Sequence, residues 1–341
     1  WDMGNGYKLE TNFYYQNMSH FMSNYESRTP GNMTMPNGMV MPMYMDNTTT
    51  VKGGGWDIAM TMPMGSGDLK VGFTGDKSNH EADARMGMNA AMMNTPTDLF
   101  QGVERSRYSF FGEWKSDLTD KLATELGMRY TYTNSNADQI INGMPMGTLK
   151  SDFNNANRNK DFHGVDLVAM LRYAARSDLD LEIGFARKTR APSYQELYIW
   201  GPAEATSGMA DGRTYVGNLD LKLETAYQFE FGLDWHTDTA YFAPRAFYHY
   251  VNDYIQGSDH PTIPDRAQLT CPAPGTCPVL EFNNVNAHIY GVDLETGYVI
   301  TENWRLDGGL NYVGGRQADG GGYLYRMAPF NGRAQVTFEH S

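Results

Sequence analysis

Polar and apolar residues alternate with a period of two along most of this chain. In GYKLETNFYYQNMSHFMS (residues 6–23), most odd positions are apolar or aromatic, and most even positions up to Gln16 are polar. The segment DKLATELGMRYTYT (residues 120–133) repeats the pattern. Such alternation predicts β-strands with one apolar face. About twelve segments follow it: 5–23, 53–65, 67–77, 104–117, 120–135, 161–176, 178–192, 219–236, 239–257, 281–300, 302–318 and 331–340.

The connections between these segments alternate between long and short. The short ones are MGSGD, SDLTD, ARSDL, WHTDT and VITEN. The long ones are 24–52, 78–103, 136–160, 193–218, 258–280 and 319–330. A soluble sandwich, which hides its apolar face against a second sheet, gives no reason for this parity. Short periplasmic turns and long external loops are typical of outer-membrane barrels. We therefore predict an all-β fold, an antiparallel transmembrane β-barrel.

Composition narrows the functional classes. The chain has 341 residues and a net charge of −13, which argues against a nucleic-acid partner because phosphate binding needs a basic face. No apolar run is long enough for a transmembrane helix. Neither a nucleophile elbow nor a phosphate-binding loop is present, so the sequence does not predict an enzyme.

Cys271 and Cys277 are the two cysteines of the chain and lie in CPAPGTC. Proline and glycine between them would allow a small disulfide ring, which is expected in an oxidising compartment. Two free thiols or a pair of metal ligands are the alternatives. No further cysteine is available to complete a zinc site, so we predict the disulfide.

Residues 18–45 contain eight methionines and one histidine, His20. Met18, His20 and Met22 share the even parity of the polar positions in the first strand, so we predict that they face the barrel lumen. Same-face neighbours on a strand lie roughly 6.6 Å apart, which lets an imidazole and a thioether approach one ion. These soft ligands favour copper, particularly Cu(I). Possible auxiliary ligands are Met18, Met33, Met35, Met39, Met41, Met43 and Met45.

Four phrases carry a family resemblance: FARKTRAPSYQELY (185–198), VGNLDLKLETAYQFEFGLDW (216–235), FNNVNAHIYGVDLETGY (282–298) and APFNGR (328–333). They resemble the C-terminal barrel signatures of TonB-dependent outer-membrane receptors. The resemblance implies a bacterial outer-membrane barrel of 22 strands, closed by an N-terminal plug and coupled to the TonB complex. Residues 1–341 would then be part of one barrel domain in contact with outer-membrane lipid, with about 12 strands, and with the plug and terminal strands absent.

Within that family, the His-x-Met pair and the Met-rich stretch resemble copper receptors of the NosA/OprC type. The resemblance implies that His20 and Met22 hold a copper ion, the transported substrate, together with a Cys-x-x-x-Met pair on the plug. Neither Cys271 nor Cys277 has that spacing, so the plug pair is not carried over. Two other functions stay open: a receptor for siderophores or other metal complexes, with the methionines as loop filler, and a passive porin.

Overall fold

The computed structural model describes residues 1–34, 38–93, 96–143, 147–202, 212–265 and 276–340. One large sheet dominates this part of the chain. Two short α-helices, α1 (Leu149–Asn155) and α2 (Tyr194–Tyr198), and one 3₁₀ turn (Ala90–Met92) lie between strands of the described part of the chain. The strands are β1 (Asp2–Gly4), β2 (Tyr7–Ser23), β3 (Asn32–Thr34), β4 (Val40–Pro42), β5 (Tyr44–Met64), β6 (Gly67–Gly87), β7 (Thr97–Thr119), β8 (Leu122–Asn136), β9 (Lys160–Arg176), β10 (Leu179–Arg190), β11 (Tyr215–Val216), β12 (Glu224–His236), β13 (Ala240–Asp259), β14 (Leu280–Thr301), β15 (Trp304–Gln317) and β16 (Asn331–Phe338).

The long strands form an antiparallel meander in which each strand pairs with the next one along the chain. The order is β1-β2-β5-β6-β7-β8-β9-β10-β12-β13-β14-β15-β16, with β11 alongside β14 and β3–β4 as a separate hairpin. The twelve long strands and the alternation of tight turns with long connections confirm the predicted antiparallel barrel architecture. Among the described residues, β1 and β16 each pair on one side only, so the sheet has two edges.

Several strands extend further at their outer ends than predicted. Strand β5 begins at Tyr44 rather than at residue 53, and β6 continues to Gly87 rather than ending at 77. The prediction of a connection over 24–52 is therefore wrong, and Met45 lies in a strand rather than in a loop. Alternation in sequence requires one face in lipid. Beyond the membrane both faces of a strand meet water, so the alternation of polar and apolar residues stops although the backbone hydrogen bonds between strands continue. The alternation therefore does not show where these strands end.

The outward face of the sheet is apolar and exposed. Phe229 and Phe231 on β12 are 50% and 48% exposed, and they pair with Tyr248 and Ala246 on β13. On the first strands, Phe13 lies opposite Trp56 and is 70% exposed. Large exposed apolar side chains on each of the twelve long strands are what a barrel presents to lipid. Within the described residues, no helix has the length and apolar character needed to cross a membrane.

The inward face is polar and carries ion pairs between strands, both adjacent strands and strands one apart in the sheet. Lys70 on β6 reaches Glu10 on β2 at 2.6 Å, and Arg172 on β9 reaches Asp180 on β10 at 2.6 Å. At the outer end this face is covered by chain segments that connect the strands. They form a buried cluster that includes Ala82, Phe100, Val103, Ile140, Phe153, Leu197, Tyr198, Trp200, Tyr215 and Phe282.

Arg190, the last residue of β10, connects this cluster to the barrel strands through two ion pairs. Its guanidinium lies 2.5 Å from the Glu224 carboxylate at the start of β12 and 2.9 Å from the Glu196 carboxylate in α2. The Ser193 hydroxyl accepts a hydrogen bond from the Glu196 backbone N–H, and the Glu196 carboxylate accepts one from the Ser193 N–H, which completes a capping box. Two nearly buried carboxylates therefore depend on one cation.

We expect Arg190→Ala to lower the free energy of unfolding by about 2–3 kcal/mol, because two buried carboxylates lose their counter-ion. This expected loss is small for a buried ion pair because the Arg190 side chain is itself half-exposed to solvent. The matched control is Arg333→Ala, which breaks an exposed pair with Glu295 and should cost less than about 1 kcal/mol. Denaturant unfolding of the full-length protein, followed by tryptophan fluorescence, measures both. Equal losses in the two variants would contradict the anchoring role.

Among the described residues there is no free cysteine, and Cys277 is therefore not a free thiol. Cys271 lies outside the described part of the chain. The predicted Cys271–Cys277 disulfide stays a prediction.

Candidate metal site at the outer mouth

His20 and Met22 lie at the outer end of β2, on the inward face of the sheet. His20 pairs with Thr49 on β5, and Thr49 pairs with Ala82 on β6. Ala82 is 2% exposed and belongs to the inner buried cluster, which identifies the face. Directly paired residues point their side chains to the same side of a sheet. Met22 follows His20 by two positions and therefore points the same way.

Met18 lies on the same face, one step further from the mouth. It pairs with Val51, which pairs with His80 on β6. Lys77, three positions before His80 on β6, points outward and is exposed, so His80 lies beyond the lipid-facing part of the strand. The His80 ring stacks on the Tyr194 ring, with the two centroids 4.3 Å apart. Burial lowers the pKa of the His80 imidazole, and the positive charge of Arg105 lowers it further. A neutral imidazole therefore stands in the row of Met18, which the linear spacing of the histidines did not reveal.

Strand pairing brings two more methionines to this face. Met45 on β5 pairs directly with Met86 on β6, next to the row in which Met22 pairs with Asn47. Met45 is thus a diagonal neighbour of Met22, at about 7–8 Å between backbones. Five soft side chains on three adjacent strands share one face at the outer end: Met18, His20, Met22, Met45 and Met86.

The sequence predicts Met45 as an auxiliary ligand but does not predict Met86 as part of the site. Met86 is 41 positions from Met45, and only the β5–β6 register joins the two. A run of methionines in the second long connection was the available signal. That signal gave no indication of which of them would reach the first strand.

An anchoring contact holds the outer end of β5 in place. The Arg85 guanidinium donates two hydrogen bonds to the Asp46 carboxylate, at 2.9 and 2.7 Å, and the Tyr25 hydroxyl donates a third at 2.7 Å. These bonds to Asp46 raise the pKa of the Tyr25 hydroxyl and of the Arg85 guanidinium. The Asn24 side chain also accepts from the Met45 N–H at 2.9 Å. These hydrogen bonds position the backbone beside Met45 without a bound ligand.

The other methionines of the stretch lie between β2 and β5 in the chain, in and around the β3–β4 hairpin. Met33 pairs with Met41 across the hairpin, and the Met43 N–H donates to the Gly31 carbonyl at 3.0 Å. Met39 is 50% exposed. Met35 and the side chain of Met33 lie outside the described part of the chain. Their predicted role as auxiliary ligands stays a prediction.

The candidate site is open to water and consists mainly of thioethers. Met18 and Met22 are 55% and 47% exposed. Within the described residues, no group of three or more His, Cys, Asp or Glu side chains could hold a metal ion. Any coordination here therefore depends on methionine sulfur, which suits a soft ion better than zinc or calcium.

The whole chain, residues 1–341, matches the family described as TonB dependent receptor-like, beta-barrel. Among solved structures, it is similar to the copper transporter OprC, with a TM-score of 0.77 and 20% identity over 99% of this chain and 50% of that one. It is also similar to the ferric yersiniabactin uptake receptor FyuA from Yersinia pestis, with a TM-score of 0.62 and 13% identity over 98% of this chain and 45% of that one.

A third similar structure is the pyoverdine receptor FpvA from Pseudomonas aeruginosa, with a TM-score of 0.58 and 12% identity over 97% of this chain and 44% of that one. At these identities the likeness shows the fold alone. The chain spans about half the length of these proteins. No curated protein sequence matches the chain.

Proposed function

Because the chain belongs to the TonB-dependent receptor-like β-barrel family, whose members are outer-membrane transporters rather than enzymes, we propose that it forms part of a copper importer. External copper is captured by methionines of the first long connection and held by His20 and Met22. The observation that carries this proposal is the shared inward face of Met18, His20, Met22, Met45 and Met86 at the outer end of three adjacent strands.

The remaining parts of the transporter follow from the family and the open sheet. Unpaired strand edges are not viable in hydrocarbon, so β1–β2 and β16 would pair with further strands of a larger barrel. A plug in the lumen would supply the remaining copper ligands, and the TonB complex would act on the plug. The barrel wall itself carries out no chemistry. It positions soft donors and contacts lipid.

Two further functions remain in competition with copper import. FyuA and FpvA, which share the fold, are named as receptors for ferric yersiniabactin and for pyoverdine. A siderophore receptor would leave the methionines without a role, and a passive porin would not need energy coupling. The arrangement of thioethers around one imidazole favours copper because a siderophore presents its own hard ligands to iron.

We expect the purified full-length receptor to retain stoichiometric Cu(I) after desalting and to retain neither Zn²⁺ nor Ca²⁺, since thioether sulfur prefers the softer ion. Cells that carry the receptor should take up copper faster than cells without it, and loss of TonB should abolish the difference. Elemental analysis and uptake assays measure both. Binding of a ferric siderophore without copper would support the first rival, and TonB-independent ion conductance the second.

A further inference from the structure

A polar and aromatic patch lies on the outward face of β13, β14 and β15, near the outer end of β15. Arg316 on β15 pairs directly with His288 on β14, and His288 pairs with Tyr250 on β13. Tyr248, two positions before Tyr250, pairs with the outward Phe229, so this row also faces outward. Directly paired residues point to the same side of a sheet with Cβ atoms about 5 Å apart, so Arg316 and His288 are immediate neighbours.

Arg316 is an exposed cation without a carboxylate partner. Within the described part of the chain it forms no ion pair, although the chain as a whole has a net charge of −13. Its guanidinium carbon lies over the Tyr290 ring, 5.9 Å from the centroid. That ring lies across Gly314, where an added Cβ would approach ring carbons to 2.9 Å. The aromatic ring therefore holds the cation against the outward face and leaves its N–H groups available to a ligand.

His288 adds a hydrogen-bond donor beside this cation. Its Nδ1 lies 2.6 Å from the Tyr248 hydroxyl, and its ring centroid lies 5.2 Å from that of Tyr250. With the hydroxyl as donor to Nδ1, the neutral ring carries its proton on Nε2 and offers that N–H on the outward face. A guanidinium next to an imidazole N–H suits a phosphate group, because arginine binds two phosphate oxygens with parallel N–H bonds.

The pair lies at the level of the lipid headgroups. Trp304 begins β15 at the opposite, periplasmic end. From Trp304 to Arg316 the strand rises about 40 Å, and a tilt of about 40° leaves about 30 Å across the membrane, slightly more than the apolar band of about 25 Å. Leu310 and Tyr312 are exposed on the same face below Arg316. Arg316 therefore lies just beyond the apolar band, next to the tyrosines expected at its border.

We propose that Arg316 and His288 bind the phosphate group of a lipid in the outer leaflet of the outer membrane. The membrane places phosphate groups at the height of the guanidinium, and the acyl chains of the same lipid lie along the exposed side chains of Val292 and Leu310 below it. The negative charge of the phosphate supplies the partner that the chain itself does not give Arg316. His20 and Met22 lie on the opposite face of the sheet, so this site does not depend on the proposed copper import.

The test uses the full-length receptor in detergent, with lipid A as the probe. Native mass spectrometry measures the fraction of protein that carries the lipid during a titration. We expect the double variant with Arg316→Gln and His288→Gln to bind lipid A at least about tenfold more weakly than wild type, since one lost charge-assisted contact corresponds to about that factor. Dephosphorylated lipid A should bind wild type and this variant equally.

The matched control carries Lys77→Gln and His163→Gln, which remove a cation and an imidazole elsewhere on the outward face. Lys77 is already paired with Glu104 at 3.0 Å, and His163 lies 2.7 Å from the Tyr130 hydroxyl, much as His288 lies beside Tyr248. The control should bind lipid A within about threefold of wild type. An equal loss in both double variants overturns the proposal, and so does equal binding of lipid A and its dephosphorylated form by wild type.

Inorganic phosphate distinguishes a lipid headgroup from a free anion. We expect calorimetric titration of the wild-type receptor with inorganic phosphate to show no binding, because the free ion lacks the acyl chains that contact the apolar strands. Binding of inorganic phosphate that the Arg316 and His288 variant loses would assign the site to a soluble anion and overturn the lipid assignment. Arg316→Gln alone repeats each comparison, with the same outcomes, if the double variant fails to assemble.

Discussion

The double variant with His20→Ala and Met22→Ala should lower the Cu(I) affinity of the full-length receptor by at least about 100-fold. Outer-shell partners of a metal ligand already cost 10–100-fold when they are removed, and the loss of two direct ligands should exceed that range. Competition with a chromophoric Cu(I) chelator measures the affinity. Copper uptake by cells should fall in parallel, because both depend on the same site.

The matched control carries His163→Ala and Met60→Ala, which remove the same two side-chain types from the outward face. His163 pairs with Tyr132 and hydrogen-bonds the Tyr130 hydroxyl at 2.7 Å, while Met60 pairs with Leu9. These positions face lipid, so their loss should leave copper affinity within about threefold. An unchanged affinity in the His20 and Met22 variant, or an equal loss in the control, would remove these residues from the site.

Phe231→Arg should destabilise the barrel by about 2–4 kcal/mol, the cost of a charged side chain near the middle of the lipid face of a barrel. Phe231 is 48% exposed, lies six residues from the tight turn after β12, and points outward with Ile183 and Ala246. Denaturant titration of the full-length protein folded into lipid vesicles gives the free energy of unfolding.

Gln228→Arg is the control for this prediction. It introduces the same charged side chain on the same strand, but Gln228 pairs with Ala186 and His249 on the inward, hydrated face. We expect a change below about 1 kcal/mol. If both variants lose equal stability, the assignment of the two faces of β12 is incorrect.

Most strands of the barrel and their two faces could be predicted from the sequence, because a barrel strand meets lipid on one side and water on the other. On β12, Phe229 and Phe231 alternate with Gln228 and Glu230, and the pairing places the two sets on opposite faces. The same parity predicted that Met18, His20 and Met22 share a face, and the register agrees. Whether these side chains bind copper stays a prediction.

The sequence by itself determined the strands, their two faces and the soft chemistry of the opening segment, because solvent contact on each side of a strand selects residues two positions apart. Only the tertiary structure decided that Met86 stands beside Met45, and that Arg190 stands beside Glu224. These pairs are far apart along the chain, and interstrand hydrogen bonds rather than local periodicity set their register. Above the membrane the alternation of polar and apolar residues stops. The positions of the outer ends of β5 and β6, where the candidate site lies, were therefore known only from the strand pairing.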